Sequence, residues 1–284
     1  MESLSPIVIP SSYNYCGVFL TFACQLKCWY CINQESGRRP NYKTMSGKEW
    51  VEALNRIETR KDLPITLQGG EPTMHPDFLY ICKGVRKDLN MDLLTNCQFD
   101  VEEFLHHLPQ SRFKRDAPYA SIRVSYHPPT MELEDTIMRV QRLQEQGYSI
   151  GVWIVNNPND KLIPYYKQCF TTAGIDCRLK EYLDGKTYGT YKYQDIQGAK
   201  GVVCRPSELL VAPNGDIHRC HGDLYGNKKP YASIKDNVVK LIEGYAPCAK
   251  VACNSCDIKV KYDRFQVPGH CAVTIKEKNE VQGL

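Results

Sequence analysis

The sequence predicts an α/β fold, a partial (β/α)6 barrel of parallel strands followed by a small cysteine-rich domain with a β-hairpin and a helix. Three observations carry that expectation. From Cys16 to about Leu183, short β-rich runs alternate with capped amphipathic stretches, the pattern of repeated βα units. After Gly185 the alternation stops, and Lys186 to Lys200 is polar, tyrosine-rich and broken by glycine. The remainder holds six of the fourteen cysteines. The chain therefore divides into residues 14–185 and residues 201–284.

Six strands are expected at Cys16 to Phe22, Pro64 to Gln68, Met91 to Thr95, Ser121 to Tyr126, Ser149 to Val155 and Cys177 to Tyr182. Most are rich in β-branched or aromatic residues, which suit a pleated surface. Ser46 with Glu49, and Asp100 with Glu103, form capping boxes that start helices before Trp50 and Phe104. Further helices are expected from Pro76 to Leu89, from Met131 to Gln146 before Gly147, and from about Lys161 to Thr172 before Gly174. In the second unit, Pro213-Asn214-Gly215-Asp216 between Glu208 to Ala212 and Ile217 to Cys220 reads as a hairpin, because Asn-Gly supplies the positive φ of a tight turn.

Composition narrows the function classes. Hydrophobic residues make up 42% and charged residues 24% of the 284, with a formal net charge of +4. That mild balance calls for no polyanionic partner, and Arg112, Lys114 and Arg115 make too short a basic stretch for a nucleic-acid surface. Neither a signal peptide nor an apolar run long enough to span a membrane is present, so the chain is expected to be cytoplasmic, without a membrane partner. Reducing conditions there disfavour a disulfide framework, which turns fourteen cysteines toward metal or iron-sulfur ligation. Cys16, Cys82, Cys97, Cys169 and Cys177 fall on strands, on apolar helix faces or just after a strand, and are expected to pack as small hydrophobes.

In barrel-like βα folds the chemistry sits where strands end. Cys24, Cys28 and Cys31 follow the first expected strand, on a loop at the mouth of the sheet. Three thiolates can hold three irons of a 4Fe-4S cluster and leave the fourth iron open to a small ligand. A zinc site is the bland alternative for three close cysteines. Gly69-Gly70-Glu71-Pro72 follows the second strand; its glycines allow close backbone approach and Glu71 offers an acceptor for an ammonium group. Asn96 ends the third strand, Ser125 lies in the fourth ahead of His127, and Asn156 follows the fifth. Arg178 and Lys180 lie on the sixth, where a cation could bind a substrate carboxylate or phosphate or a scaffold acid.

The Cys24-x3-Cys28-x2-Cys31 spacing, with Tyr30 as its aromatic, resembles the signature of the radical S-adenosylmethionine superfamily. The resemblance implies a TIM-like partial barrel, S-adenosylmethionine on the open iron, and its reductive cleavage to a 5'-deoxyadenosyl radical by Cys24, Cys28 and Cys31 as cluster ligands. It also implies that Gly69, Gly70, Glu71 and Pro72 receive the methionine amino group. Asn96, Ser125, with its hydroxyl toward the ribose, and Asn156 are expected near the cofactor. Cys204, ten residues, Gly215, four residues and Cys220 is similar to the opening of the SPASM and twitch auxiliary-cluster domains. One auxiliary 4Fe-4S cluster is then expected on Cys204, Cys220, Cys253 and Cys256, with Cys248 or Cys271 as substitutes and a structural zinc as the alternative.

The leading expectation for the reaction is oxidation of a small polyol or aminocyclitol, with electrons supplied by a flavodoxin or ferredoxin. Peptide modification is its rival, and a zinc-stabilised binding module without catalysis is the reading from another class.

Overall fold

The computed structural model describes residues 4–34, 39–113, 120–182, 202–248, 261–262, 268–270, 273–277 and 281. Six strands run parallel and side by side: β1 (Tyr15–Thr21), β2 (Ile65–Gly69), β3 (Met91–Thr95), β4 (Ile122–Tyr126), β5 (Ile150–Asn156) and β6 (Cys177–Glu181). Their ends fall within one residue of the expected ones. Between them lie α1 (Gly47–Leu54), α2 (Phe78–Gly84), α3 (Val101–His107), α4 (Leu133–Glu145) and α5 (Ile163–Thr172).

Local chemistry explains most boundaries. The Ser46–Glu49 capping box closes in both directions and starts α1, whereas at α3 the forward half forms, Asp100 accepting from the Glu103 amide at 3.0 Å. Gly147 and Gly174 stop α4 and α5 with φ of 81° and 76°, a conformation that costs glycine little. α2 is shorter than expected. Asn55 donates to the Gly84 carbonyl (3.0 Å) and accepts from the Arg86 amide (2.7 Å), so its side chain replaces the next helical turn.

One face of the sheet is apolar. Val18, Leu20, Leu67, Leu93, Val124 and Ile154 are fully buried in one core with Trp50, Ile81, Val140 and Phe170 from the helices. The opposite, inner face is polar: burial pushes the Tyr15 phenol up, and Arg123, Glu208, Thr66 and Asp92 all lie near enough to act on it. Arg123 bonds Asp92 at 2.9 Å with both side chains about sealed from water.

The hairpin changes the picture of the second unit. β7 (Val202–Pro206) is followed by β8 (Glu208–Val211), β9 (Asp216–His218), α6 (His221–Tyr225) and β10 (Ala232–Ser233). The turn forms as expected, with Gly215 at φ 90°. Its first arm, β8, pairs in parallel with β1, so the sheet reads β10-β9-β8-β1-β2-β3-β4-β5-β6 and stays open. The hairpin expected within the second unit thus continues the barrel's own sheet. Arg56 fastens this join, since its guanidinium donates to the carbonyls of Ser5, Ile234, Asp236 and Asn237. A separate antiparallel sheet places β7 between β11 (Ala246–Cys248) and a terminal strand, Val273–Glu277.

Candidate active site at the strand exits

Parallel pairing of β1 with β2 delivers two loops to one place. Gly70 donates its amide to the Thr21 carbonyl (2.8 Å) and Glu71 donates to that of Ala23 (2.7 Å), which sews the glycine turn onto the start of the cysteine loop. Only glycine fits here: a Cβ on Gly69 would strike the Thr21 carbonyl, and one on Gly70 those of Phe22 and Ala23. Asn33, beyond the third cysteine, returns to donate to the Gly69 carbonyl at 2.7 Å. Arg39 braces the loop from the other side, donating to the carbonyls of Cys24 (3.0 Å) and Leu26 (2.6 Å).

Glu71 is buried, and its carboxylate accepts from Thr73 Oγ1 (2.7 Å), Thr95 Oγ1 (2.8 Å), and the amides of Thr73 (3.2 Å) and Asn96 (2.6 Å). Burial raises its pKa and those donors oppose the rise. The geometry therefore gives Glu71 a role in joining the exits of β2 and β3; Pro72 opens the single turn that it caps. Asn96 is held through its backbone by Glu71, and its side chain reaches Cys24 Sγ at 3.8 Å.

Of the three cysteines, Cys28 is buried and the others half-buried. Burial pushes the thiols of Cys24 and Cys28 up, and hydrogen bonding and Arg39 pull both down. Each also feels the charge of other cysteines of the set, so the three sulfurs share one locale. Yet no three His, Cys, Asp or Glu among the described residues close on one ion. Three thiols, with an amide aimed at one sulfur, are a donor set that suits three irons of a 4Fe-4S cluster.

Tyr30 turns inward, and its hydroxyl meets His127 Nδ1 at 3.0 Å. Burial, aided by Lys180, pulls the His127 imidazole down to about 4. Ser125 is half-buried on β4, in register with Trp153, while Asn156 is exposed at the end of β5. Arg178 bonds Asp176 at 2.8 Å and lies over the Trp153 ring, which gives it scaffold partners. The structure thus gathers Cys24, Cys28, Cys31, Gly69, Gly70, Glu71, Pro72 and Asn96 at the exits of β1 to β3, and leaves Asn156 outside that group. Sequence reasoning missed Arg39, Asn33 and Thr130, which carry no motif signal. Thr95 and His127 were visible only as strand-end residues.

Of the second set, Cys204 is buried in β7 and Cys220 is half-buried at the start of α6. Cys248 stands in β11 opposite Val202. Cys253, Cys256 and Cys271 lie outside the described residues.

An open, largely parallel α/β sheet thus carries a three-cysteine loop at one strand exit and a tightly packed glycine turn at the next. Residues 18–152 match the Radical SAM superfamily, so this part of the chain is similar to a radical SAM domain. Such a domain works with a 4Fe-4S cluster and S-adenosylmethionine. The fold is similar to that of anSMEcpe solved with bound AdoMet and Kp18Cys peptide, with a TM-score of 0.57 at 14% identity, covering 78% of this chain and 77% of that one. The mycofactocin maturase MftC of Mycobacterium ulcerans is 32% identical over 59 residues, 21% of this chain and 15% of the maturase. The GTP 3',8-cyclase of Haemophilus influenzae is 24% identical over 188 residues, 60% of this chain and 54% of the cyclase. This chain therefore spans about half of the cyclase and a small part of the maturase. Among the described residues no helix is long and apolar enough to cross a membrane.

Proposed function

We propose that the protein cleaves S-adenosylmethionine reductively and uses the resulting radical to abstract hydrogen from a peptide substrate. The observation that carries the first half is the convergence of Cys24, Cys28 and Cys31 with the Gly69–Gly70 turn, joined by two backbone hydrogen bonds. When bound, the cluster supplies the electron that splits the sulfonium. The chain's own residues do the rest: Arg39 and Asn33 hold the loops together, Glu71 fixes the β3 exit, and the Gly69 and Gly70 backbone leaves room for the methionine end. Tyr30 and Ser125 are assigned to the nucleoside side.

Peptide modification is preferred to the polyol or aminocyclitol dehydrogenation expected from the sequence. A solved structure of like fold holds AdoMet and a peptide together. The polar inner face, with Gln68 Nε2 buried and unsatisfied and the Asp92–Arg123 pair, suits backbone amides. Lys180 and Arg178 are retained as substrate-side cations. A flavodoxin or ferredoxin is the proposed reductant.

Cys204 and Cys220, with Cys253 and Cys256, are assigned to one auxiliary 4Fe-4S cluster in a twitch-like unit. Arg219, next to Cys220, donates to the carbonyl of Pro247, next to Cys248, at 2.7 Å, which supports Cys248 as a substitute ligand. The test is anaerobic turnover under dithionite. Wild type should form 5'-deoxyadenosine and Cys28→Ala none, with iron retained at the second set; persistent turnover in Cys28→Ala overturns the reading. Peptides encoded by neighbouring genes should change mass in the same reaction. Modification of a polyol in their place would defeat the substrate half.

A further inference from the structure

We propose that Asn96 and Thr130 donate hydrogen bonds to the cluster-ligand sulfurs of Cys24 and Cys28, and thereby raise the cluster's reduction potential. The inference rests on the cluster reading above and concerns how the chain tunes that site.

The orientation of Asn96 is determined by its other contacts. Its Oδ1 accepts from Gln25 Nε2 (3.2 Å) and from the Gln98 amide (3.0 Å). With the oxygen so engaged, the Nδ2 donor is the end that faces Cys24 Sγ, at 3.8 Å. The residue cannot swing away, because Glu71 Oε2 accepts its backbone amide at 2.6 Å and Asn96 is 5% exposed. Glu71 is in this sense a positioning residue for a sulfur contact.

Thr130 comes from a different element, the loop after β4, and its Oγ1 lies 3.7 Å from Cys28 Sγ and 3.2 Å from the His127 carbonyl. The hydroxyl has one proton and two acceptors. While Cys28 is a thiol, its S–H can donate to Oγ1 and the threonine proton can stay on the carbonyl. Once the sulfur is an iron-bound thiolate it can only accept, and the charged acceptor draws the threonine proton toward itself. Cys28 is thus given its hydrogen bond by the same change that makes it a ligand.

Donors to cluster sulfurs offset the charge of the reduced state, so they make reduction easier. Arg39 adds in the same direction, its guanidinium resting on the carbonyls of Cys24 and Leu26. The placement has functional sense in a site that must hold an electron until a bound molecule takes it.

The experiment is potentiometric titration of the reconstituted holoprotein, followed by the electron paramagnetic resonance signal of the reduced first cluster in a background where Cys204 and Cys220 are both Ala. Asn96→Leu and Thr130→Val keep shape and remove the donors. Each should lower the midpoint, the larger shift approaching a tenfold change in the reduction equilibrium, about 59 mV for one electron. Thr130→Ser should restore the wild-type value. Unchanged midpoints in both variants at full iron content would overturn the proposal. Should Asn96→Leu fail to bind iron, the exposed Thr130 site decides alone. If the background protein holds no iron or sulfide, the cluster reading itself falls, an outcome distinct from an intact cluster with an unmoved potential.

Discussion

Where β1, β2 and β3 end, the polar atoms of three loops saturate one another: Glu71 takes four hydrogen bonds, Asn33 and Arg39 cap carbonyls, and Asn96 bridges to a sulfur. Around the second cysteine set the chain is organised differently. Cys204 sits inside an antiparallel strand and Cys220 at the mouth of a short helix, while the hairpin between them belongs to the barrel's sheet. The first site is made by loops that meet because parallel strands end at one edge. Of the proposed second set, the described members stand in a central strand and at a helix start. Loop-built sites depend on the few contacts that hold loops together, so the first should be fragile to small changes that the second ignores.

The largest break is expected from Gly70→Ala. Its Cβ must displace the carbonyls of Phe22 and Ala23. Iron incorporation at Cys24, Cys28 and Cys31 should fail while iron at the second set persists, as measured by Mössbauer counting of clusters; normal loading of both would remove the distinction between the regions.

Arg123→Met tests the polar inner face of the parallel sheet. Leaving Asp92 buried without its cation should cost about 3–5 kcal/mol, read as a Tm fall of about 6–20 °C. A shift under about 2 °C, the least expected from 1 kcal/mol, would mean the pair contributes little. Glu71→Gln keeps the volume but sets an amide donor against donors, at about 1–3 kcal/mol. Its sharper signature is a lowered first-cluster potential through a displaced Asn96, with the second cluster unmoved.

A smaller effect is expected from pH. His127 has its folded pKa pulled down to about 4 by burial and Lys180, against about 6.5 unfolded. The unfolded chain then binds the extra proton between those values, so the stabilisation is whole above about 6.5 and lost as pH falls toward 4. Tm measured across that window should drop less in His127→Phe than in wild type. Ser46→Ala, whose cap bonds stay within α1, should cost about 1 kcal/mol and leave iron loading at the cysteines unchanged, a control that any account of the two regions must satisfy.

Much of this was legible in the chain. Residues that act through local geometry announce themselves: β-rich runs, most of them β-branched or aromatic, marked the six parallel strands, the Ser46–Glu49 pair marked α1, and Asn214-Gly215 marked the hairpin turn. Cys24, Cys28, Cys31 and the Gly69–Gly70 turn were legible for the same reason, since their spacing is their chemistry. Glu71 was seen, but its partners were not, because Thr95 and Asn96 are more than twenty positions away and meet it only where β2 and β3 end together. Arg39 and Thr130 carry no motif at all; they matter through contacts to the cysteine loop, two carbonyls for Arg39 and one sulfur for Thr130.

The sequence by itself determined the periodicity, the caps and the thiolate spacing, all properties of neighbours along the chain. Tertiary structure alone decided that β8 pairs with β1 and so gives the hairpin to the barrel's sheet. It alone decided which donors face the cysteine sulfurs. Strand partners and buried hydrogen bonds are chosen by what the whole fold leaves unsatisfied, and no local run of residues records that choice.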